Sequence, residues 1–252
     1  MTFQEFLIKW YGKRIKELTS LKNDGLHFIP ENMHQNYAPN HDKCQDCAAK
    51  IFRQDIPFWL GSHKNKKLMV IAQDAGKGVE DYGLNTVFSI HSAFIDKEAY
   101  FNASSRHKGY YNLFRGMIDS EEFLEEIYFT DIIKCAYSTM STIQVDETKC
   151  KNFIFQEINE VDPKSILLMG KPAQNTFHGL IQQQFLKLEQ VKSISCSINT
   201  KSAISFSHFH FQDKHVFFSP HLIGNLHISK EFKNQFIEFK TEIVNYICEK
   251  IR

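Results

Sequence analysis

Three apolar runs, separated by helical patterns, constrain the fold of this chain most. KKLMVIAQD (66–74), IYFTDIIKCAY (127–137) and KSILLMG (164–170) are typical of buried strands, because a strand covered on both faces is apolar throughout rather than alternating. The last two are followed by amphipathic helical patterns, DETKCKNFIFQEINEV (146–161) and KPAQNTFHGLIQQQFLKL (171–188). Buried strands that alternate with helices predict an α/β fold, a three-layer α/β/α sandwich around a mainly parallel sheet.

The rest of the chain fits one domain. Its 252 residues are enough to bury a single core, so we assign residues 1–43 to an N-terminal helical extension and 44–252 to the core. SAISFSHFHF (202–211) and DKHVFFSP (213–220) predict a hairpin or a pair of strands. The chain closes on a pattern that predicts a long helix, SKEFKNQFIEFKTEIVNYICEKI (229–251).

Composition limits the cellular compartment and the binding partners that we expect for this protein. No apolar run reaches membrane-spanning length, and the first 18 residues lack the apolar core of a signal peptide. We therefore expect a cytoplasmic monomer without a membrane partner. A net charge of +1 neither suggests nor excludes nucleic acid, since a phosphate-binding face needs only local basicity. Six cysteines in a cytosolic chain indicate metal or redox use rather than disulfides.

Four of these cysteines suggest a shared metal centre. Cys44 and Cys47 form a C-x-x-C turn, Cys135 lies at a strand end and Cys150 lies near the start of the next helix. Four thiolates suit either zinc or a 4Fe–4S cluster, and spacing alone does not separate the two. The alternative is buried core cysteines beside an incidental C-x-x-C. The placement of the later pair near element ends favours the metal.

The remaining cysteines and one histidine pair fit no metal site from the sequence. Cys196 lies outside the pattern, and Cys248 lies on the closing helix, where we expect it to pack. His208 and His210 alternate as metal ligands often do. On a strand, however, this spacing predicts two imidazoles that share one polar face.

The motifs, in this order, resemble the iron–sulfur branch of the uracil-DNA glycosylase superfamily. The resemblance covers about Cys44 to Asn225 and rests on the four cysteines and on IAQDAGKGVEDYG, DIIKC, DPKSILLMGKPA and SPHLIGN. It implies a four-stranded parallel sheet between helices, with a 4Fe–4S cluster that orders loops facing DNA. It also implies an enzyme that flips a pyrimidine out of DNA and hydrolyses its N-glycosidic bond.

The resemblance names two catalytic candidates. Asp74 ends the first strand, where a carboxylate could orient water and stabilise a cation-like sugar; the alternative is that it caps the following turn. His221 in SPHLIGN matches the motif histidine that donates to pyrimidine O2. The chain departs from the family pattern at two positions. The iron–sulfur branch typically has Ala where this chain has Asp74, and the family proline after the histidine is Leu222 here.

Four further residues are candidates for contacts with DNA. Gln73 and Phe88 are candidates for binding the flipped base, Phe88 by stacking, although most phenylalanines in this chain must be core residues. Leu222 and Ile223 could enter the base stack as an apolar wedge, as the intercalating loop of the family does.

Asp131 stands where uracil-directed members of the family carry asparagine. An asparagine amide donates to O4 and accepts from N3–H, which is the edge of uracil. A protonated carboxyl instead accepts from an exocyclic amino group and donates to N3, which is the pattern of cytosine, and partial burial favours the protonated form. The alternative is that Asp131 pairs with Lys134 or with a backbone amide.

These residues predict a monofunctional DNA glycosylase. Removal of plain cytosine would destroy the host genome, so we expect a modified cytosine, hydroxymethylated or glucosylated as in some phage genomes, and a role in phage defence. No lysine is clearly placed for Schiff-base chemistry, which favours an intact abasic strand as product. The alternatives are an ordinary uracil-DNA glycosylase of base-excision repair, a non-catalytic iron–sulfur protein that binds DNA or senses redox state, and a zinc-stabilised scaffold.

Overall fold

Nine strands and four α-helices lie within the described part of the chain. The computed structural model describes residues 53–54, 58–59, 62, 64–74, 105–133, 135–136, 154–155, 157–184, 186–223 and 228–252. The strands are β1 (Arg53–Gln54), β2 (Phe58–Trp59), β3 (Leu68–Asp74), β4 (Ile127–Ile133), β5 (Cys135–Ala136), β6 (Ser165–Met169), β7 (Glu189–Asn199), β8 (Ser202–Phe211) and β9 (Lys214–Ser219). The helices are α1 (Ser105–Met117), α2 (helical at 154–155 and 157–161), α3 (Lys171–Gln183) and α4 (Lys233–Ile251), the last preceded by a 3-10 turn at Lys230–Phe232.

The larger sheet has a parallel centre and antiparallel edges. Its seven strands follow the order β2-β4-β3-β6-β9-β8-β7. The four central strands, β4, β3, β6 and β9, run parallel to one another. At the edges β2 pairs antiparallel with β4, and the chain runs from β7 through β8 to β9 in antiparallel pairs. The predicted parallel sheet is confirmed, and the sheet is wider than four strands because β2 extends one edge and β7 and β8 extend the other.

The central strands are buried on both faces, as their composition predicts. All five residues of β6 are buried, and Leu68 to Ala72 in β3 are at most 3% exposed. One face is covered by α1 and α4, which approach so closely that a Cβ on Gly116 would lie 2.8 Å from Val244 Cγ1. The other face is covered by α2 and α3, whose Phe155 and Phe177 rings lie 6.1 Å apart. The chain is therefore an α/β/α sandwich.

The segment predicted as one strand, 127–137, is divided between two sheets. β4 ends at Ile133, and β5 pairs antiparallel with β1 in a separate two-stranded sheet, with Cys135 opposite Gln54. Cys135 therefore does not continue the strand that carries Asp131.

The end of one helix also differs from the sequence prediction. The helix predicted over 171–188 ends at Gln183, because the chain has to turn before β7 begins at Glu189. Residues 1–43, which we assigned to an N-terminal helical extension, lie outside the described residues. Among the helices that the structure describes, none has the length and hydropathy that a membrane span requires.

Candidate active site at the carboxyl edge of the sheet

The four parallel strands present their carboxyl ends at one edge of the sheet. Asp74, Ile133, Met169 and Ser219 are the last residues of β3, β4, β6 and β9. In open α/β sheets, ligands bind in the crevice outside this edge. The sequence candidates Asp74, Asp131 and His221 all belong to these strands or follow them directly, so the fold brings them to the same edge.

The turn that carries His221 is held by hydrogen bonds to its backbone. The Ser219 carbonyl accepts from the Gly170 backbone N–H at 2.9 Å and from Gln174 Nε2 at 2.7 Å. Ser219 is fully buried, and Gln174 is 8% exposed. Gly170 has φ +87°, a left-handed conformation that favours glycine, and a Cβ at this position would lie 3.8 Å from His221 Cδ2. The strand end is therefore fixed from two sides before the histidine leaves the sheet.

The hydrogen bonds of His221 define its neutral tautomer. Its Nδ1 is bonded to the Ile223 carbonyl oxygen, which can only accept, so Nδ1 carries the hydrogen. Its Nε2 lies 3.3 Å from the Tyr110 hydroxyl, which in this tautomer donates to it. Neutral His221 thus presents a lone pair at Nε2. To donate to pyrimidine O2 from this ring position, the imidazole has to take up a second proton.

Tyr110 is a site residue that the sequence analysis missed. It lies on α1, and its ring is 6.1 Å from the His221 ring and 6.0 Å from the Phe129 ring on β4. It therefore connects the strand that carries Asp131 with the turn that carries His221. The available signal was the amphipathic pattern of SRHKGYYNLFRGM (105–117), which the sequence analysis did not assign to a helix.

Asp131 is buried inside β4 and faces α1. It is 3% exposed and pairs in register with Ala72 of β3. Side chains alternate along a strand, so Asp131 shares its face with Phe129, which packs against α1. Thr130 points to the other face, where its hydroxyl donates to the Glu157 carboxylate at 3.1 Å. The structure thus places Asp131 on the same side of the sheet as Tyr110.

Gln73 and Asp74 form the end of β3, with Asp74 opposite Ile133 of β4. One strand, β6, separates β3 from β9, so the two strand ends lie about 10 Å apart at about 4.8 Å per strand. The structure describes the backbone of Gln73 and Asp74, and their roles stay predictions.

Leu222 and Ile223 are packed into the core rather than displayed as a wedge. They are 4% and 7% exposed and belong to the main hydrophobic cluster. Ile223 lies against α1, where a Cβ on Gly109 would be 2.8 Å from its Cγ2. The wedge remains a prediction, and it requires this segment to leave its packed position when DNA binds.

The predicted base-stacking residue and most of the predicted cluster ligands are not covered by the structure. Phe88, Cys44, Cys47 and Cys150 lie outside the described residues, and Cys135 is described by its backbone in β5. The cluster therefore stays a prediction.

A parallel α/β/α sandwich with a histidine and two carboxylic acid residues at or near its carboxyl edge is an arrangement suited to hydrolytic chemistry on a bound ligand. The sequence profile of the Uracil DNA glycosylase superfamily matches residues 58–243, and the chain belongs to this superfamily. Its members are DNA glycosylases, which makes DNA the partner and base removal the activity class. No individual curated protein matches the chain.

Proposed function

We propose that this protein hydrolyses the N-glycosidic bond of a modified cytosine in DNA. The observation that supports this substrate is the burial of Asp131 within β4, on the side of the sheet that faces Tyr110. A buried polar group in a base pocket discriminates strongly, because the wrong base leaves it without its hydrogen bonds.

The chemistry of Asp131 selects between pyrimidine edges. A low-dielectric surrounding disfavours an ionised carboxyl group, and a protonated one donates to N3 while its carbonyl oxygen accepts from the N4 amino group. That is the complement of cytosine. Uracil presents O4 and N3–H instead, so both contacts are mismatched while the proton stays on the carboxyl oxygen that faces N3, and the uracil oligonucleotide in the assay below tests this condition. Plain cytosine is excluded as the natural substrate because its removal would destroy the host genome, which leaves hydroxymethylated or glucosylated cytosine and a role in phage defence.

In this proposal the other strand-end residues perform the hydrolysis. Asp74 orients the attacking water and stabilises the positive charge that develops on the sugar. His221 stabilises the departing base through Nε2 once that nitrogen is protonated, and the base then takes the place of the Tyr110 hydroxyl, which otherwise lies 3.3 Å from Nε2. The bond from C1′ to the base breaks, water supplies the hydroxyl on C1′, and the base leaves with a proton. The product is an intact abasic strand.

Cys44, Cys47, Cys135 and Cys150 would hold a 4Fe–4S cluster, or zinc in the alternative. The chemistry such a centre supplies here is structural, since it ties separate loops together near the DNA-binding edge. β5 carries Cys135 immediately after β4, which would couple the cluster to the strand that bears Asp131.

The test is a base-release assay on matched oligonucleotides that carry uracil, cytosine, 5-hydroxymethylcytosine or glucosylated 5-hydroxymethylcytosine. We expect the wild type to release a modified cytosine, and Asp131→Asn to gain release of uracil because the amide restores the donor for O4. Thr130→Val is the matched control, since this neighbour points to the opposite face of β4 and should leave the base preference unchanged.

Two results would overturn the substrate. Efficient release of uracil by the wild type, with no release of any cytosine derivative, would leave an ordinary uracil-DNA glycosylase, which family membership also supports. No release from any of the four oligonucleotides, with specific DNA binding retained, would favour the non-catalytic DNA-binding alternative.

A further inference from the structure

A cluster of three histidines lies at the edge of the sheet opposite the candidate active site. His208 and His210 are on β8, and His215 is on β9 directly opposite His210. Each histidine offers one ring nitrogen to the cluster, and these three nitrogens all lie within 4.8 Å of one another. His215 is the second residue of β9, and the four steps from there to Ser219 span about 13 Å. The cluster is therefore separate from the turn that carries His221.

The two histidines on β8 share one face of the strand, as their alternation predicts, but the sequence analysis did not predict what this face contacts. This face is turned toward α4 and not wholly to solvent. His208 is 1% exposed, whereas His210 is exposed and His215 is half-buried. The sequence analysis missed His215, because it joins the pair only through the pairing of β8 with β9.

The spacing of the three rings matches a tetrahedral metal site. The ring centroids are 5.2 Å apart for His208 and His210, 5.0 Å for His208 and His215, and 5.1 Å for His210 and His215. A metal about 2.0–2.1 Å from a ring nitrogen lies about 3.2 Å from the ring centre, and tetrahedral angles then place ring centres about 5.2 Å apart. The three rings already stand at this separation.

The buried ring also has the outer partner that a metal-bound histidine usually has. The Tyr246 hydroxyl on α4 lies 2.8 Å from Nδ1 of His208 and fixes the orientation of the ring. Nε2 of His208 then points to the centre of the cluster, 2.9 Å from Nδ1 of His215. Metal binding would replace this hydrogen bond, and each ring would then carry its single proton on the nitrogen that faces away from the metal, which for His208 is Nδ1 beside the Tyr246 oxygen.

Burial favours the neutral form of two of the three imidazoles. Burial, and then the neighbouring His215, His210 and Lys250, lower the pKa of His208 to about 4, and burial also lowers the pKa of His215. Neutral rings have lone pairs available for a metal. Lys250 lies 5.5 Å from the Tyr246 ring centre and opposes a cation, but it is paired with Glu249 at 3.3 Å.

We propose that His208, His210 and His215 form a binding site for a divalent transition metal, with Zn²⁺ as the first candidate and water as the fourth ligand. Three imidazoles and a solvent position suit zinc, nickel or copper rather than magnesium or calcium. The metal would link the β8–β9 turn to α4, because its ligand His208 is hydrogen-bonded to Tyr246 on that helix.

The test is metal binding by the full chain, with Zn²⁺ measured by calorimetry and Co²⁺ by visible absorption. The wild type should bind one more equivalent than His210→Gln. In His210→Gln the affinity of this site for the metal should fall by more than about 100-fold, since one of three ligands is lost. The absorption of the Co²⁺ that binds to the wild type but not to His210→Gln should show ligand-field bands without sulfur-to-metal charge transfer. This result would separate the histidine site from the cysteines. His178→Gln, a change at an exposed histidine on α3, is the matched control and should bind as the wild type does.

His210 is exposed, so we expect His210→Gln to fold, and an unchanged melting temperature without added metal verifies this. Added Zn²⁺ should then raise the melting temperature of the wild type and the control but not of His210→Gln. Equal Zn²⁺ affinity and stoichiometry in the wild type and His210→Gln would overturn the proposal, as would an added Co²⁺ spectrum that contains only thiolate bands.

Discussion

Lys66 should make the stability of the protein depend on alkaline pH. It lies two residues before β3 begins at Leu68, is 3% exposed, and donates from Nζ to the Glu125 backbone carbonyl. Burial lowers the pKa of Lys66 from 10.5 to about 8, and the charges of Glu125 and Glu126 only partly offset this effect. The ammonium is therefore less stable in the folded protein than in the unfolded chain.

The sign and size of the effect follow from this difference in pKa. Between about pH 8 and the unfolded value of 10.5 the unfolded chain binds more protons, so the free energy of unfolding rises with pH. At about 1.4 kcal/mol per pKa unit, the full difference is about 3 kcal/mol. Between about pH 7.5 and pH 9.5, about 2 kcal/mol of it should be recovered.

Urea unfolding of the wild type and of Lys66→Met at about pH 7.5 and pH 9.5 measures the effect. The wild type should gain about 2 kcal/mol relative to the variant as the pH rises, and the comparison cancels all other groups that titrate in this range. Lys64→Met is the control, because Lys64 is 51% exposed and forms a surface ion pair with Glu160 at 3.7 Å. The same pH dependence in the wild type and in Lys66→Met would refute the reasoning.

Two further predictions concern catalysis and the cluster. Asp74→Ala and His221→Ala should each slow base release about 10²–10³-fold in single-turnover assays without unfolding the domain. Tyr110→Phe should slow base release less. Wild-type rates in Asp74→Ala and His221→Ala would place the catalytic groups elsewhere. Cys150→Ser should lose iron and solubility together while Cys248→Ser retains both, and full iron content in Cys150→Ser, measured by metal analysis, would remove that residue from the ligand set.

Local sequence determined the elements that are buried on both faces. β3, β4 and β6 coincide with the three apolar runs, because a central parallel strand must be apolar on both sides. The same runs carry Asp74 and Asp131 at or near their ends, whereas His221 was named from the SPHLIGN motif. The superfamily followed from the order of the motifs at these strand ends, and the family match confirms it.

Only the tertiary structure decided which side chains meet. Tyr110 reaches His221 because α1 packs on the face of β4 that carries Phe129, and the pattern of α1 alone does not specify that partner. His215 joins His208 through the register of β8 and β9. The division of 127–137 into β4 and β5 likewise depends on pairing with β1. The physical reason is common to these cases: hydropathy periodicity encodes whether a residue is buried, whereas its contacts depend on strand register and helix packing between distant segments.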